Sequence, residues 1–211
     1  MEIMEYESRY NQKHLKKKSA VFHYTKRFMD LVLAILLLII TSPIVLVTVC
    51  AVKLESSGQI IYRQRRVGHH GNEFILYKIR SMDESAESGG AQWAEKNDPR
   101  ITMVGQFIRK TRIDELPQLW NVLKGEMSLI GPRPERPVFT KEFQVLYPNF
   151  TQRLAVKPGL TGWAQVNGGY DISPEEKLKL DLEYINTMSV KNEVHILCKT
   201  IQVVLSGNGA R

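Results

Sequence analysis

The sequence predicts a helix-rich α/β chain in which one membrane-inserted N-terminal helix precedes a small domain of few strands and several helices. Three observations carry this. Residues 31–52, LVLAILLLIITSPIVLVTVCAV, hold no charge over 22 positions, enough apolar length to cross a bilayer. Residues 59–82 alternate in polarity about a Gly turn, as paired short strands do. Apolar residues then recur at helical spacing within 113–123, 139–150, 178–185 and 194–205. The expected organisation is a basic polar tail over 1–23, a membrane helix over 24–54 and a catalytic-size domain over 55–211.

The chain has 211 residues, with 29 Lys and Arg against 22 Asp and Glu, a net charge of +7. That balance suits anionic lipid, a phosphorylated substrate or nucleic acid. No recognisable nucleic-acid motif accompanies it, so no nucleic-acid partner is expected. Cys50 and Cys198 form neither a CxxC nor a zinc pattern; both are expected as buried free thiols in a reducing compartment. The tail clusters Lys13, His14, Lys16, Lys17 and Lys18, a solvated segment whose charge also favours an anionic membrane surface.

The apolar run is flanked by Lys26 and Arg27 on one side and by Lys53, Arg63, Arg65 and Arg66 on the other. Positive charge marks the cytoplasmic side, and one straight crossing cannot place both flanks there. Ser42-Pro43 sits at the centre. Proline removes a ladder donor and bends a helix, and a serine beside it can satisfy the freed carbonyl. From the residues alone, a kinked span and a helix that dips into one leaflet and returns are close alternatives. A cleaved signal peptide fits less well, because the run is too long and starts too late. Asp30 at its head is tolerable near the interface with Lys26 or Arg27 as partner.

Within 59–82, Gly68 and Gly71 bracket the turn, and Phe74, Leu76 and Lys78 alternate with Ile75 and Tyr77. Residues 83–98, DESAESGGAQWAEKND, read as a mobile loop with Gly89-Gly90 at its tip and an unexpected Trp93.

The densest chemistry lies in 109–134, RKTRIDELPQLWNVLKGEMSLIGPRP. Asp114 and Glu115 stand before a helix whose first turn takes Pro117. Ile113, Leu116, Leu119, Trp120 and Leu123 define its apolar face, and Lys124-Gly125 its last turn and cap. Arg109 and Arg112 precede the acids; Arg133 follows between two prolines. An acid at a helix start is commonly only a cap or a dipole complement. Two acids with three arginines beside a rigid Pro-Arg-Pro corner also form a place to hold a phosphate and a metal ion.

Residues 135–156 are amphipathic and aromatic, fitting either an interfacial or a core-facing helix. Residues 157–169, KPGLTGWAQVNGG, are rich in Gly, and backbone N–H groups of such a loop can face phosphate oxygens. Ser173-Pro174-Glu175-Glu176 opens a capped helix with Leu178, Leu182 and Ile185 on one side. A last helix aligns Val194, Leu197, Cys198, Ile201, Val204 and Leu205 on a stripe that is either structural or membrane-resting.

DELPQLWNVLKGEMSLIGPRP resembles the signature of bacterial sugar transferases of the monotopic phosphoglycosyl transferase family. The likeness extends from about Tyr24 to about Leu205. It includes YRQ-x-R-x-G and F-x-x-YK-x-RSM in the strand region, and KPG-x-TGWAQV-x-G in the Gly-rich loop. The resemblance implies a re-entrant helix broken at Ser42-Pro43, interfacial amphipathic helices and a cytoplasmic catalytic domain on the inner leaflet of the bacterial cell membrane. It implies transfer of a sugar-1-phosphate from a UDP-sugar to polyprenyl (undecaprenyl) phosphate with release of UMP. That step opens exopolysaccharide, capsule or glycoconjugate assembly and supplies downstream glycosyltransferases. Mg²⁺ is the implied cofactor, held by Asp114 and Glu115. Asp114 is the implied nucleophile, Glu115 its catalytic neighbour, and Lys78, Arg80, Arg109 and Arg133 the implied phosphate contacts. Many relatives carry Arg where this chain has Gly169, so an anion contact there does not carry over. A membrane-bound basic adaptor without chemistry is the alternative, and it gives no role to the acid pair.

Overall fold

In a computed structural model the described residues are 18–90, 92, 98–168 and 172–206. Lys13 to Lys17, Trp93 and Gly169 lie outside the described residues.

Helix α1 spans Ala20–Glu55, opened by the Ser19 hydroxyl accepting from Phe22 N–H. It is one continuous element with Pro43 inside it. The chemistry at that point answers the proline directly. Pro43 cannot donate to the carbonyl four residues back, Ile39, and the Ser42 hydroxyl donates to that same carbonyl at 2.9 Å. Asp30, Ala34, Thr48 and Val52 are buried, whereas Ile35, Leu36, Ile39, Ile40, Leu46 and Val47 are exposed and apolar. Among the described residues this is the one helix long and apolar enough to cross a membrane.

Of the two expected partners of Asp30, Lys26 lies at ion-pair distance, and closer bonds come from farther along the chain. Its carboxylate accepts from Ser128 Oγ at 2.8 Å and from Leu129 N–H at 3.0 Å, with Lys26 at 4.0 Å. Arg27 instead donates to the carbonyls of Val122 and Leu123.

Strands β1 (Ile61–Val67) and β2 (Glu73–Ile79) form the predicted antiparallel hairpin, joined by a short 3-10 turn. The register pairs Tyr62 with Lys78 and Ile61 with Ile79. Helix α2 (Met103–Lys110) follows, then a 3-10 turn over Ile113–Glu115 and helix α3 (Gln118–Lys124), closed by Gly125 at φ 82°. Buried Asn121 ties α3 to the free edge of β2: its Nδ2 donates to Ile75 O at 2.7 Å and its Oδ1 accepts from Tyr77 N–H at 3.3 Å. The apolar face of α3 is therefore phased differently from the sequence expectation. Leu119 and Val122 are buried, and Trp120 is 56% exposed.

Strand β3 (Ser128–Ile130) pairs in parallel with β4 (Gly159–Thr161). Here the Gly-rich loop departs from its predicted use. A Cβ on Gly159 would lie 2.1 Å from Gly131 N, and one on Gly162 would lie 2.1 Å from Gly131 O. These glycines let two backbones cross at a spacing no side chain permits, and that accounts for them without a phosphate.

Helix α4 (Pro137–Leu146) buries Phe139 and Phe143 against Phe150 and Leu178, while Val138, Val145 and Leu146 are exposed. It is core-facing on its aromatic side and open on its aliphatic side. Helix α5 covers Trp163–Gly168. Helix α6 (Pro174–Thr187) has the predicted capping box between Ser173 and Glu176. In α7 (Val190–Ser206) Ile196 and Glu193 face the core, while Val194, Ile201 and Leu205 face outward. Cys198 shares that outer stripe, and Cys50 lies on the exposed side of α1, so both thiols are exposed, not buried as expected. Apolar residues on an exposed helix face have the same period as a core stripe in sequence.

Candidate active site

The turn that carries the acid pair is set by its neighbour. Arg112 adopts φ 60°, ψ 14°, in the left-handed region, where a non-Gly residue is uncommon and strained. This reverses the chain after α2, so that Asp114 and Glu115 enter a tight 3-10 turn instead of the first turn of α3. Neither acid caps a helix: α3 starts at Gln118, with no side-chain cap bond at its N-terminus. The N-cap reading fails, and neither acid stands in the first turn of α3 as a dipole complement.

Asp114 lies in a cleft of about 780 Å³. The lining includes Lys78, Lys177 and eight arginines, at positions 63, 66, 80, 100, 109, 112, 133 and 136, against five acids at 83, 84, 87, 114 and 135. The cleft is therefore a cationic container for an anion. It is large enough for a nucleotide-sized ligand.

The two neighbouring acids have opposite surroundings. Lys78 Nζ donates to Glu115 Oε1 at 2.8 Å, and Arg133 reaches the same oxygen at 2.5 Å and Oε2 at 3.4 Å. Burial alone would push the Glu115 carboxyl up; Arg133 and Lys78 outweigh it and hold the group well below the ordinary carboxylate range. Lys78, desolvated on β2, is itself lowered, with Glu115 opposing that shift. Asp114 is 5% exposed and makes no hydrogen bond or ion pair among the described residues. Burial pushes its carboxyl up to about 6, with Lys78 opposing and the Glu115 charge adding to the rise. Carrying a charge at pH 7 thus costs Asp114 on the order of 3 kcal/mol. It is held ready, accessible from the cleft and unsatisfied.

Of the predicted phosphate contacts, Lys78, Arg109 and Arg133 converge on this end of the cleft. Arg109 also approaches Ser81 Oγ at 3.5 Å. Arg80 lines the wall, but its guanidinium is turned onto the carbonyls of Ser56 and Ser57 and onto Ser56 Oγ at the end of α1. Its charge closes that helix C-terminus and is not brought onto the acid pair.

The sequence reading missed the cleft's outer end. Arg136 grips Glu87 with two bonds, at 2.7 and 3.2 Å, and Tyr62 OH donates to Glu87 at 2.8 Å. Burial and Glu87 together push the Tyr62 hydroxyl up to about 12. These residues tie the turn over 83–90 to β1 and to the start of α4. It also missed two buried groups behind the Pro-Arg-Pro corner: Arg153 with Asp181, and Glu135 with Lys177. The only signal for them was charge placed among apolar residues.

The donor set admits a hard cation. Among the described residues no cluster of three His, Cys, Asp or Glu side chains forms a metal cage. Mg²⁺ needs only one or two carboxylates when substrate phosphates and water complete its shell. Among the described residues Asp114 is unpaired and Glu115 Oε2 has only a 3.4 Å contact, so the pair fits an ion held jointly with a substrate.

Comparison with known proteins gives a consistent result. A family model described as bacterial sugar transferase matches residues 21–207. A UDP-N-acetylgalactosamine-undecaprenyl-phosphate N-acetylgalactosaminephosphotransferase of Aeromonas hydrophila is 45% identical over 196 residues, covering 92% of this chain and 46% of that protein. An uncharacterised sugar transferase of Bacillus subtilis is 44% identical over 185 residues, covering 87% of this chain and 89% of its own. A UDP-glucose:undecaprenyl-phosphate glucose-1-phosphate transferase of Escherichia coli is 41% identical over 188 residues, covering 87% of this chain and 40% of that protein. The chain thus spans less than half the length of the first and third of these relatives.

Proposed function

The chain belongs to the bacterial sugar transferases, and from that premise we propose that it transfers a sugar-1-phosphate from a UDP-sugar to polyprenyl phosphate, releasing UMP, through a phosphosugar bound to Asp114. The observation that carries this is the contrast at residues 114 and 115: one buried acid held by Lys78 and Arg133, its neighbour buried and, among the described residues, without a partner at the end of a cationic cleft. An adaptor has no use for an acid held at that cost.

In the first step an Asp114 carboxylate oxygen forms a bond to the β-phosphorus, and the bond from that phosphorus to the bridging oxygen breaks. UMP leaves with the electron pair. In the second step an oxygen of polyprenyl phosphate attacks the same phosphorus and the Asp114 carboxylate leaves, giving a polyprenyl diphosphate sugar. Arg133, Arg109 and Lys78 neutralise phosphate charge in a partly dehydrated site, where such interactions are strongest. Glu115 is already neutralised, so it fixes Arg133 and Lys78 in place without repelling the donor. Asp114 and Glu115 would hold Mg²⁺, whose bound charge would further screen the phosphates from the nucleophile.

The re-entrant anchor belongs to the same proposal. A straight helix of 36 residues would be about 54 Å long, longer than a domain of this size is wide. Yet both ends of α1 touch the domain. Arg27 bonds the end of α3, Val52 clusters with Ile79 and Ile108, and Glu55 accepts from Val104 N–H. Around Ser42-Pro43 the apolar side chains of Ile39, Ile40, Leu46 and Val47 are free of the domain. A helix folded back at that point fits these contacts and keeps both basic flanks in the cytoplasm, with the cleft at headgroup height.

The chemistry is tested by incubating the protein with Mg²⁺ and a panel of UDP-sugars headed by UDP-N-acetylgalactosamine. With polyprenyl phosphate present, UMP release is expected, and excess chelator is expected to stop it. Without acceptor, intact-protein mass should rise by one phosphosugar, mapped to Asp114. UMP release with the adduct on another residue would remove Asp114 as nucleophile. The anchor is tested in a variant with Cys50 and Cys198 replaced by Ser and single cysteines placed at Lys17 or Arg63. Both sites should resist an impermeant thiol reagent in intact cells and react after lysis; labelling of one alone in intact cells would establish a full crossing.

A further inference from the structure

Neither Arg153 nor Asp181 lines the cleft, and both are almost completely buried. We propose that this pair is a positioning device for the transfer reaction, fixing Arg133 from behind and through it Glu115, without touching substrate. The inference rests on the function proposed above.

The geometry runs outward in one line. Asp181, on α6, accepts from Arg153 Nε at 2.9 Å and from NH2 at 2.7 Å. The same NH2 donates to the backbone carbonyl of Arg133 at 2.9 Å. The guanidinium of Arg133 meets Glu115 at 2.5 Å. Phe150 closes the other face of Arg153, with its ring centroid 4.9 Å from the guanidinium carbon. The orientation of Arg153 is therefore set on its edge by a carboxylate and on its plane by a ring.

This grip is needed because of what the strap of residues 132–135 is made of. Pro132 and Pro134 have no N–H to give to a ladder, so the strap is held through its carbonyls. Gly159 N–H donates to Pro132 O, Arg153 to Arg133 O, Arg66 to Pro134 O and Val67 N–H to Glu135 O, all at 2.9–3.0 Å. Three of these donors come from the strands or the cleft wall. The one at Arg133, the residue that reaches the acid pair, comes from a charged side chain anchored to a separate helix. A buried ion pair is weak support for stability, since apolar residues of similar volume can replace it at little cost. A pair aimed at one carbonyl is explained better by position than by stability. Glu135 does not depend on Arg153 for its neutrality, because Lys177 holds it at 2.5 Å while Arg153 NH1 is 3.8 Å away.

The test is a double-mutant cycle in the full chain. The paired change Arg153→Met with Asp181→Leu removes both charges while keeping volume; Asp181→Asn is a milder second variant. In the otherwise native protein the paired change should lower kcat by about 10-fold to 100-fold, the scale of a small misplacement, with the melting temperature retained. In an Arg133→Ala background the same change should alter kcat less than about twofold, because its target is gone. An arginine-specific dicarbonyl, read by mass spectrometry, should modify Arg133 several-fold faster in the paired variant. Equal losses of kcat in both backgrounds, or unchanged Arg133 reactivity, would overturn the positioning role and leave a structural pair. If native protein releases no UMP, the proposed function falls, while the dicarbonyl rates still decide whether the pair holds Arg133. Should the paired variant not fold, Asp181→Asn carries the same cycle.

Discussion

The two ends of the cleft are built on opposite rules. At the outer end charges are paired: Glu87 is shared by Arg136 and Tyr62, and Arg100 is locked to Asp98 by two side-chain bonds. At the inner end Glu115 is answered twice and Asp114, among the described residues, not at all. Pairing is what a protein does with charge it wants quiet. Leaving one buried carboxylate open, one residue from a saturated one, marks where charge is kept for a ligand.

The largest effect expected from collapsing this contrast is at Asp114. Asp114→Asn should cut turnover by roughly 10³-fold or more, while making the protein more stable at neutral pH. The sign follows from the raised carboxyl, about 6 folded against 3.8 as the ordinary value. The folded state binds that proton more tightly, so the acid's favourable contribution is complete below pH 4 and is lost as pH rises through 6. The amide has nothing to lose. The stability gap, on the order of 1–3 kcal/mol, should open between pH 4 and pH 6 and persist above; thermal melts across pH would show it. In the native enzyme kcat/KM should fall below about pH 6. A variant that is inactive and also less stable at pH 7 would mean that Asp114 is satisfied in a way not described.

Next in size is Arg133. Arg133→Ala should lower kcat/KM about 10²-fold to 10³-fold, and Arg133→Lys should recover only part, because an ammonium lacks the planar fork. Loss of Arg133 also uncovers Glu115, making the inner end more anionic. Donor affinity should therefore weaken more steeply in Arg133→Ala than in Arg109→Ala, which direct titration with UDP would reveal.

The smallest effect is expected at the outer end. Glu87→Gln breaks a pair whose acid is 34% exposed, so its cost should stay below about tenfold in KM for the donor, with kcat unchanged. A large kcat loss there would erase the contrast and place chemistry at both ends.

Much of the inner end was legible because it is local. Asp114, Glu115, Arg109 and Arg133 fall within 26 residues, and the hairpin that carries Lys78 announces itself by alternation and glycine. What escaped the reading depends on distant chain segments. Arg80 looked like a phosphate ligand until α1 ended beside it. Arg153 and Asp181 are 28 residues apart, and no pattern pairs them. The glycines of 157–169 resembled an anion cradle, since steric need and phosphate need ask for the same residue. Trp120 and Cys198 were assigned inward because apolar residues facing outward have the same period as those facing a core.

The latch at Asp30 has a consequence for how the protein is made. Its acceptors' partners, Ser128 and Leu129, lie 98 and 99 residues later in the chain. At about 5–20 residues per second of synthesis, the Asp30 carboxylate waits roughly 5–20 s before the segment that will bond it exists. In the anchor proposed above, the charge at the head of the apolar helix would stay through that interval in the wet headgroup zone with Lys26 and Arg27, setting the depth of the nascent chain before the domain has folded.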